Sequence, residues 1–105
     1  MKDEYINIPL YKNEGKKRFE IEIDGSFAFI NYEEKSNQIA LVHTETEPAL
    51  AGKGAAAAVV EKTLNYIEAS GKMLLPFCPY VFAYIKRHPE WKRIVDKRFK
   101  GYDKL

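Results

Sequence analysis

Apolar and polar positions alternate along the first half of the chain. From Arg18 to Asp24 apolar and charged residues alternate, and this period of two is typical of a strand with one solvent-exposed face. Asp24-Gly25 then predicts a hairpin turn, because glycine tolerates the positive φ that such turns demand. Two further apolar segments, Ser26–Tyr32 and Gln38–Thr44, are separated by the polar run Glu33–Asn37. The pattern therefore predicts three antiparallel strands, joined as a meander.

A further strand is predicted ahead of this meander, over Tyr5–Leu10. Pro9 lies within it, and a proline is suited to the edge of a sheet because it cannot donate a ladder hydrogen bond. The segment would therefore be an edge strand.

After Pro48 the period of the apolar positions changes to that of a helix. Gly54–Ser70 is predicted as an α-helix that ends at Gly71, a residue favoured just past a helix C-terminus. Its buried face is predicted to carry Ala56, Val60, Thr63, Leu64 and Ile67.

The chain then returns to a short apolar run, Lys72–Cys78, which predicts a buried strand. Because it follows a helix, it can lie parallel to the strand before that helix, through a right-handed crossover. A second helix is predicted from Pro79 to Arg87, since proline is favoured in the first turn of a helix. His88-Pro89 should end it, and a last short helix is predicted from Pro89 to about Lys97.

Together these elements predict an α/β (α+β) fold. A mixed, mostly antiparallel sheet would carry helices packed on it, in the order β-β-β-α-β-α. With 105 residues the chain has room for one core, so residues 1–105 are expected to form a single domain.

Composition and charge bear on whether the chain binds nucleic acid or a metal. The net charge is +2, from 17 basic and 15 acidic residues, which is too balanced to predict a nucleic-acid partner. Basic residues are densest from Lys86 to Lys100, and a solvated helix face accounts for them; a nucleic-acid module is a third and weaker interpretation. Two scattered histidines and one cysteine offer no metal-ligand spacing, so no metal is expected.

The expected location is the cytoplasm, with no membrane partner. Cys78 is the one cysteine, which excludes an internal disulfide and fits a reducing compartment. The first residues lack the apolar core of a signal peptide, and no stretch approaches the roughly 18 apolar residues of a membrane span.

The most informative segment lies where the first helix begins. None of the usual capping residues Ser, Thr, Asp or Asn occurs in the five residues before it, so its first N–H groups lack an obvious partner. Gly52 and Gly54 let an outside group approach the backbone, and Lys53 adds positive charge. These features predict an anion site suited to a diphosphate. The alternative is a flexible glycine loop before an ordinary alanine-rich helix.

This loop and the order of elements around it resemble the GCN5-related N-acetyltransferases, whose acyl-CoA loop follows the pattern [QR]-x-x-G-x-[GA]. Three further motifs resemble the minimal, stand-alone branch of that superfamily, which carries a yjdJ-type acetyltransferase domain. The segments that carry the resemblance, within about residues 19–91, are His43-Thr44-Glu45, Ala51–Ala56, Cys78-Pro79-Tyr80 and His88-Pro89-Glu90. The first loop position, usually Gln or Arg, is Ala51 here, so that side-chain contact to the phosphates is missing.

The resemblance implies that the chain binds acetyl-CoA or coenzyme A. The diphosphate would lie on the backbone of the loop and helix start, at Gly52, Lys53, Gly54, Ala55, Ala56 and Ala57. The pantetheine arm would run along Thr44, Glu45 and Thr46, pairing with the strand backbone. The acyl thioester would lie where this strand and the strand ending near Cys78 move apart.

Three residues are candidates for the chemistry. Tyr84 is near the position of the superfamily's usual tyrosine acid, with Tyr80 one helical turn earlier as its substitute; core packing is the alternative role. Glu45 is a candidate base, and His43 should face the same side of a regular strand. Cys78 is a candidate acyl acceptor, or else a small buried apolar residue.

These residues support two functions. The first is an acyl-CoA-dependent N-acyltransferase, in which an unidentified amine attacks the thioester directly within a ternary complex. The second is a non-catalytic acyl-CoA-binding or sensor protein with a remnant of the same fold, an alternative that Ala51 favours. An exposed edge strand suggests a monomer or a weak homodimer.

Overall fold

A five-stranded sheet forms the centre of the molecule. The computed structural model describes all residues from Met1 to Leu105. The strands lie side by side in chain order: β1 Tyr11–Asn13, β2 Arg18–Ile23, β3 Ser26–Glu34, β4 Gln38–Thr46 and β5 Met73–Pro76. Strands β1 to β4 are antiparallel, whereas β5 is parallel to β4. The predicted mixed, mostly antiparallel sheet is therefore confirmed, as is the parallel crossover.

Two α-helices follow the strands that the pattern predicts. Helix α1 spans Ala55–Ser70 and connects β4 to β5, and helix α2 spans Pro79–Arg87 directly after β5. Four short 3₁₀ helices complete the chain, at Asp3–Tyr5, Pro48–Leu50, Pro89–Ile94 and Tyr102–Lys104. Neither α-helix has the length and apolar content needed to cross a bilayer.

The strand predicted over Tyr5–Leu10 is wrong. Tyr5 ends a 3₁₀ helix instead. Its N–H donates to the carbonyl of Lys2, and its carbonyl accepts a hydrogen bond from the N–H of Ile8, so the backbone is curled. The edge position is taken instead by β1, which pairs with β2. The cause is tertiary: the Tyr5 ring is buried in the core, and Lys62 of α1 donates to the carbonyl of Ile6, so this segment packs against the helix.

The last predicted helix is shorter than expected and of a different type. It is a 3₁₀ helix that ends at Ile94 rather than an element reaching Lys97. Val95 then forms a single parallel bridge with Leu74 on the outer side of β5. This extended backbone competes with further helix and ends it.

The fold has two layers, because the core occupies one face of the sheet. Buried side chains of the strands meet those of both helices there in one cluster, which includes Phe19, Ile30, Ile39, Leu41, Leu74, Val59, Leu64, Ile67, Val81 and Ile85. The opposite face carries residues such as Glu22, His43 and Glu45, which are exposed. We call this second side the uncovered face.

One irregularity changes the direction of side chains along β4. Asn31 pairs with His43 but the next residue, Tyr32, pairs with Leu41, so Val42 is an extra residue in β4. Such a bulge bends a strand and re-aims the side chains that follow it. After Val42, Thr44 lies opposite Ile30 on the helix-covered face, and His43 lies on the uncovered face.

Candidate functional site

Strands β4 and β5 separate just beyond the bulge. Their pairing ends with Leu41 opposite Pro76, and a last hydrogen bond of 2.8 Å runs from Cys78 N–H to the carbonyl of Leu41. From His43 to Thr46, β4 pairs with β3 alone. A segment of strand edge is therefore open toward the start of α2, and we call this opening the β4–β5 gap.

The loop after β4 leads directly to the first helix. Glu47 fixes the end of the strand, since its N–H donates to Phe27 carbonyl and its carboxylate accepts from Phe27 N–H. Gly52 and Gly54 then take positive φ angles of 72° and 80°, which ordinary side chains rarely adopt. The loop of residues 51–54 is exposed and follows the open segment of β4 after one 3₁₀ turn.

Helix α1 begins without a cap, as the sequence predicts. Gly54 is the N-cap residue, no side chain bonds to the first turn, and that turn contains no acidic residue. The first helical bond is donated by Ala58, so the N–H groups of Gly52, Gly54 and Ala55–Ala57 donate to no protein atom. Free N–H donors at the positive end of a helix dipole are an arrangement suited to an anion.

Two residues outside the predicted site hold this loop. The hydroxyl of Tyr5 donates to the carbonyl of Lys53 at 2.8 Å, and the side chain of Lys2 lies against Gly54. The sequence offers no signal for either contact, because 48 residues separate the partners of the first one. The burial of the Tyr5 ring brings the N-terminal segment here, together with contacts to α1: Lys62 Nζ donates to the carbonyl of Ile6, and the Met1 amino group lies 4.0 Å from the Glu61 carboxylate.

Thr44 and Cys78 meet at the β4–β5 gap. The Oγ1 of Thr44 lies 3.3 Å from the Sγ of Cys78, which is 3% exposed and belongs to the core cluster. Cys78 is also the N-cap residue of α2. The strand predicted over Lys72–Cys78 is shorter than expected, since β5 spans Met73–Pro76 and Cys78 follows it by two residues; Cys78 nevertheless lies beside the gap, through its contact with Thr44.

His43 and Glu45 lie on the other side of the sheet. Their side chains are both exposed, and the His43 Nε2 is 3.1 Å from the Glu45 Oε1. The prediction that they face the same side is confirmed. Neither shares a face with Thr44, so no basic side chain of β4 lies next to the Cys78 thiol.

Tyr84 is directed toward α1. Its buried hydroxyl donates to the carboxylate of Glu61 at 3.1 Å, and its ring stacks on His88. Burial, followed by the charge of Glu61, raises the pKa of Tyr84 well above its ordinary value of 10.0. The group therefore stays a neutral hydrogen donor throughout the neutral range. Tyr80, one turn earlier, is 37% exposed.

The structure brings together most of the residues predicted for the site. The loop and helix start follow directly on the strand that contains Thr44, Glu45 and Thr46, and Cys78 lies across the gap from Thr44. The Tyr84 hydroxyl contacts α1 at Glu61. Glu61 lies about one and a half helical turns after the free N–H groups. No group of His, Cys, Asp and Glu residues is arranged to hold a metal ion.

A comparison with protein-family models agrees with this arrangement. Residues 18–94 match a family described as GCN5-related N-acetyl-transferase. The match covers β2 to the end of the 3₁₀ helix after α2, and thus contains the loop, the gap and both helices. The N-terminal segment with Lys2 and Tyr5 lies outside it.

Proposed function

This chain belongs to the GCN5-related N-acetyltransferase family, whose members are acyltransferases, and we propose that it transfers an acetyl group from acetyl-CoA to an amine. The family as a whole uses an acyl-CoA donor and an amine acceptor. The choice of donor, the residues that bind it and the mechanism are our proposals.

The observation that carries the proposal is the uncapped start of α1. A diphosphate would accept hydrogen bonds from the N–H groups of Gly52, Gly54 and Ala55–Ala57, which have no partner within the protein. The helix dipole and the Lys53 ammonium would add favourable charge. The small side chains of Ala55, Ala56 and Ala57 leave the approach clear.

The open edge of β4 supports the position of the pantetheine arm. From His43 to Thr46 the strand has one neighbour, so backbone groups on its other side are free to pair with a ligand. The two amides of pantetheine would add to Thr44, Glu45 and Thr46 like an extra strand. The thioester would then lie in the β4–β5 gap.

The two sides of the gap suggest the course of the reaction. A neutral amine would attack the thioester carbonyl from the uncovered face, form the C–N bond and lose a proton to Glu45, directly or through water. The C–S bond then breaks, and the thiolate of coenzyme A takes a proton on the helix-covered face. Tyr84 is the proposed donor of that proton, because it belongs to α2, which begins directly after Cys78, and its neutral hydroxyl lies on the helix-covered side of the sheet.

Direct attack fits the surroundings of Cys78 better than a covalent acyl-cysteine intermediate. A nucleophilic thiol is activated by a base, a positive charge or a helix N-terminus beside it. Cys78 lies at the N-terminus of α2, but no basic side chain next to it could accept its proton. The polar side-chain neighbour of the Cys78 sulfur is the hydroxyl of Thr44, and the imidazole of His43 faces the other side of the sheet. We propose that Cys78 shapes the wall of the thioester site.

A non-catalytic acyl-CoA-binding or sensor protein is the second candidate. Two observations favour it: Ala51 offers the phosphates no polar side chain, and the Tyr84 hydroxyl already bonds to Glu61. In this case the loop and the open edge would bind the ligand, but no transfer would follow.

Calorimetric titration with coenzyme A and acetyl-CoA tests ligand binding, which both candidate functions require. Desulfo-CoA serves as the control for reaction at the Cys78 thiol. Saturable binding of all three ligands supports the site, and absence of binding at millimolar ligand contradicts it. Acetyl-CoA turnover with a panel of amines then separates the candidates, since binding without turnover on any amine excludes the enzyme.

The remaining proposals concern partners and location. The uncovered face leaves room for a small amine, a peptide or a protein lysine as acceptor, and no nucleic acid or membrane is proposed. We propose a monomer or a weak homodimer formed through the short edge strand β1, and a cytoplasmic location.

A further inference from the structure

We propose that the N-terminal segment Lys2–Tyr5 completes the diphosphate site, with Tyr5 as a positioning residue and Lys2 as a direct contact to the anion. This inference rests on the proposed binding of coenzyme A. It adds two residues that lie outside the matched family region of residues 18–94.

Tyr5 sets the direction of one free N–H group. In a trans peptide the C=O and the following N–H point in opposite directions. The carbonyl of Lys53 accepts the Tyr5 hydroxyl at 2.8 Å, on the side of the loop that faces the core. The N–H of Gly54 in the same peptide is consequently turned away from Tyr5, toward the open surface where it has no protein partner.

The position of the Tyr5 hydroxyl is itself fixed by packing. The residue is 4% exposed and belongs to the core cluster with α1 and the strands. The rest of the loop is weakly held: its residues 51–54 are exposed, and Lys53 N–H donates a 3.2 Å bond to Leu50 carbonyl. Glycines on both sides of Lys53 would otherwise let this peptide rotate. Tyr5 thus orders the donors before the ligand binds.

Lys2 supplies charge at the same place. Its Cε lies 3.3 Å from the position that a Cβ would occupy on Gly54, and its Cδ lies 3.7 Å from that position. The ammonium group is one bond beyond Cε and pairs with no acidic side chain. A phosphate on the Gly54 N–H would therefore be within reach of Lys2, as well as of Lys53.

The test compares coenzyme A with pantetheine, which retains the arm proposed for β4 but lacks the diphosphate and the 3′-phosphoadenosine attached to it. Affinities of Tyr5→Phe for both ligands would be measured by NMR shift titration, with Tyr11→Phe as the control because Tyr11 is exposed on β1. We expect about 3- to 10-fold weaker binding of coenzyme A, the usual effect of one misplaced hydrogen bond, and unchanged binding of pantetheine.

Lys2→Gln gives a second, independent measurement, with Lys16→Gln as its control. Lys2 is exposed, so the variant should fold, and it should weaken coenzyme A binding about 3-fold or more. Its affinity should also depend less on salt concentration, because one ion pair to the phosphates is lost. Pantetheine binding should again be unchanged.

Several results would overturn the inference. Wild-type affinity for coenzyme A in both variants would remove Lys2 and Tyr5 from the site while leaving the proposed function intact. Equal weakening for coenzyme A and pantetheine would assign Tyr5 a general structural role. If the wild-type protein binds neither ligand, the proposed function fails first and the inference fails with it.

Discussion

The hydroxyl of Thr44 lies 3.3 Å from the sulfur of Cys78, at the point where β4 and β5 separate. The two residues are 34 positions apart, and α1 and β5 lie between them in the chain. The bulge at Val42 turns Thr44 toward this contact, while the last β4–β5 hydrogen bond holds Cys78 in place. This pair therefore marks the floor of the gap proposed for the thioester.

Cys78→Ala should leave coenzyme A binding intact and reduce acetyl transfer only a few-fold. The reason is that direct attack needs no thiol, and the buried side chain contributes about 1 kcal/mol of packing to stability. Mass spectrometry after incubation with acetyl-CoA should find no acetyl group on Cys78 of the wild-type protein. An acetylated Cys78 that disappears when amine is added, with loss of transfer in the variant, would establish the covalent route instead.

Gly54→Glu should abolish coenzyme A binding. The new carboxylate would lie among the free N–H groups and next to Lys2, where it repels a diphosphate and occupies its place. Gly71→Glu is the matched control, since Gly71 has a φ of 77°, close to the 80° of Gly54, but caps the other end of α1. Both variants should lose about 1–2 kcal/mol of stability from backbone strain.

The two glycine variants are compared by thermal unfolding and by calorimetry with coenzyme A. Loss of binding in Gly54→Glu alone supports the loop as the site. Undiminished affinity in Gly54→Glu would place the ligand elsewhere.

Tyr84→Phe should slow acetyl transfer by at least about tenfold while leaving the affinity for coenzyme A nearly unchanged. The change removes the proposed proton donor but keeps the ring that stacks on His88. Steady-state rates and calorimetry measure the two effects separately. Tyr80→Phe is the comparison: if it is the slower variant, the acid is Tyr80, and if neither variant slows transfer, no tyrosine of α2 is the acid.

Asp96 should make the protein sensitive to acid. Hydrogen bonds from the side chain and backbone of Arg98, and then from Gln38, lower the pKa of Asp96 below its ordinary value of 3.8. The Asp96 carboxylate of the unfolded chain then binds a proton more readily than that of the folded chain. The ionised Asp96 therefore stabilises the folded state above about pH 4, and this contribution is lost as the pH falls.

The variant Asp96→Asn tests this dependence through urea unfolding at several pH values. It should be less stable than the wild type near neutral pH, and the difference should shrink below about pH 4. A difference that stays constant across this range would show that the stabilisation does not depend on the charge of Asp96.

The sequence predicted the elements whose signal is local. Alternation located β2 to β4, the helical period located α1, and Pro79 located the start of α2. The uncapped start of α1 was also predictable, because a few consecutive positions show that no capping residue precedes the helix. The family resemblance added the expectation that the loop and the gap belong to one site.

Features that depend on distant contacts could not be predicted. Tyr5 was assigned to an edge strand over Tyr5–Leu10, whereas its burial and its bond to Lys53 arise from the folded chain. The extra residue Val42 has no sequence signal, since its effect depends on the register with β3. The same bulge decides that Thr44, rather than His43, meets Cys78.

The absence of helices on one side of the sheet has a consequence for kinetics. If the donor occupies the loop and the β4 edge, and the acceptor reaches the gap from the uncovered face, neither substrate blocks the entrance used by the other. Such an enzyme should add its two substrates in random order, and free coenzyme A should leave without waiting for the acetylated product. Product-inhibition patterns would then be those of a random sequential mechanism rather than of a compulsory order.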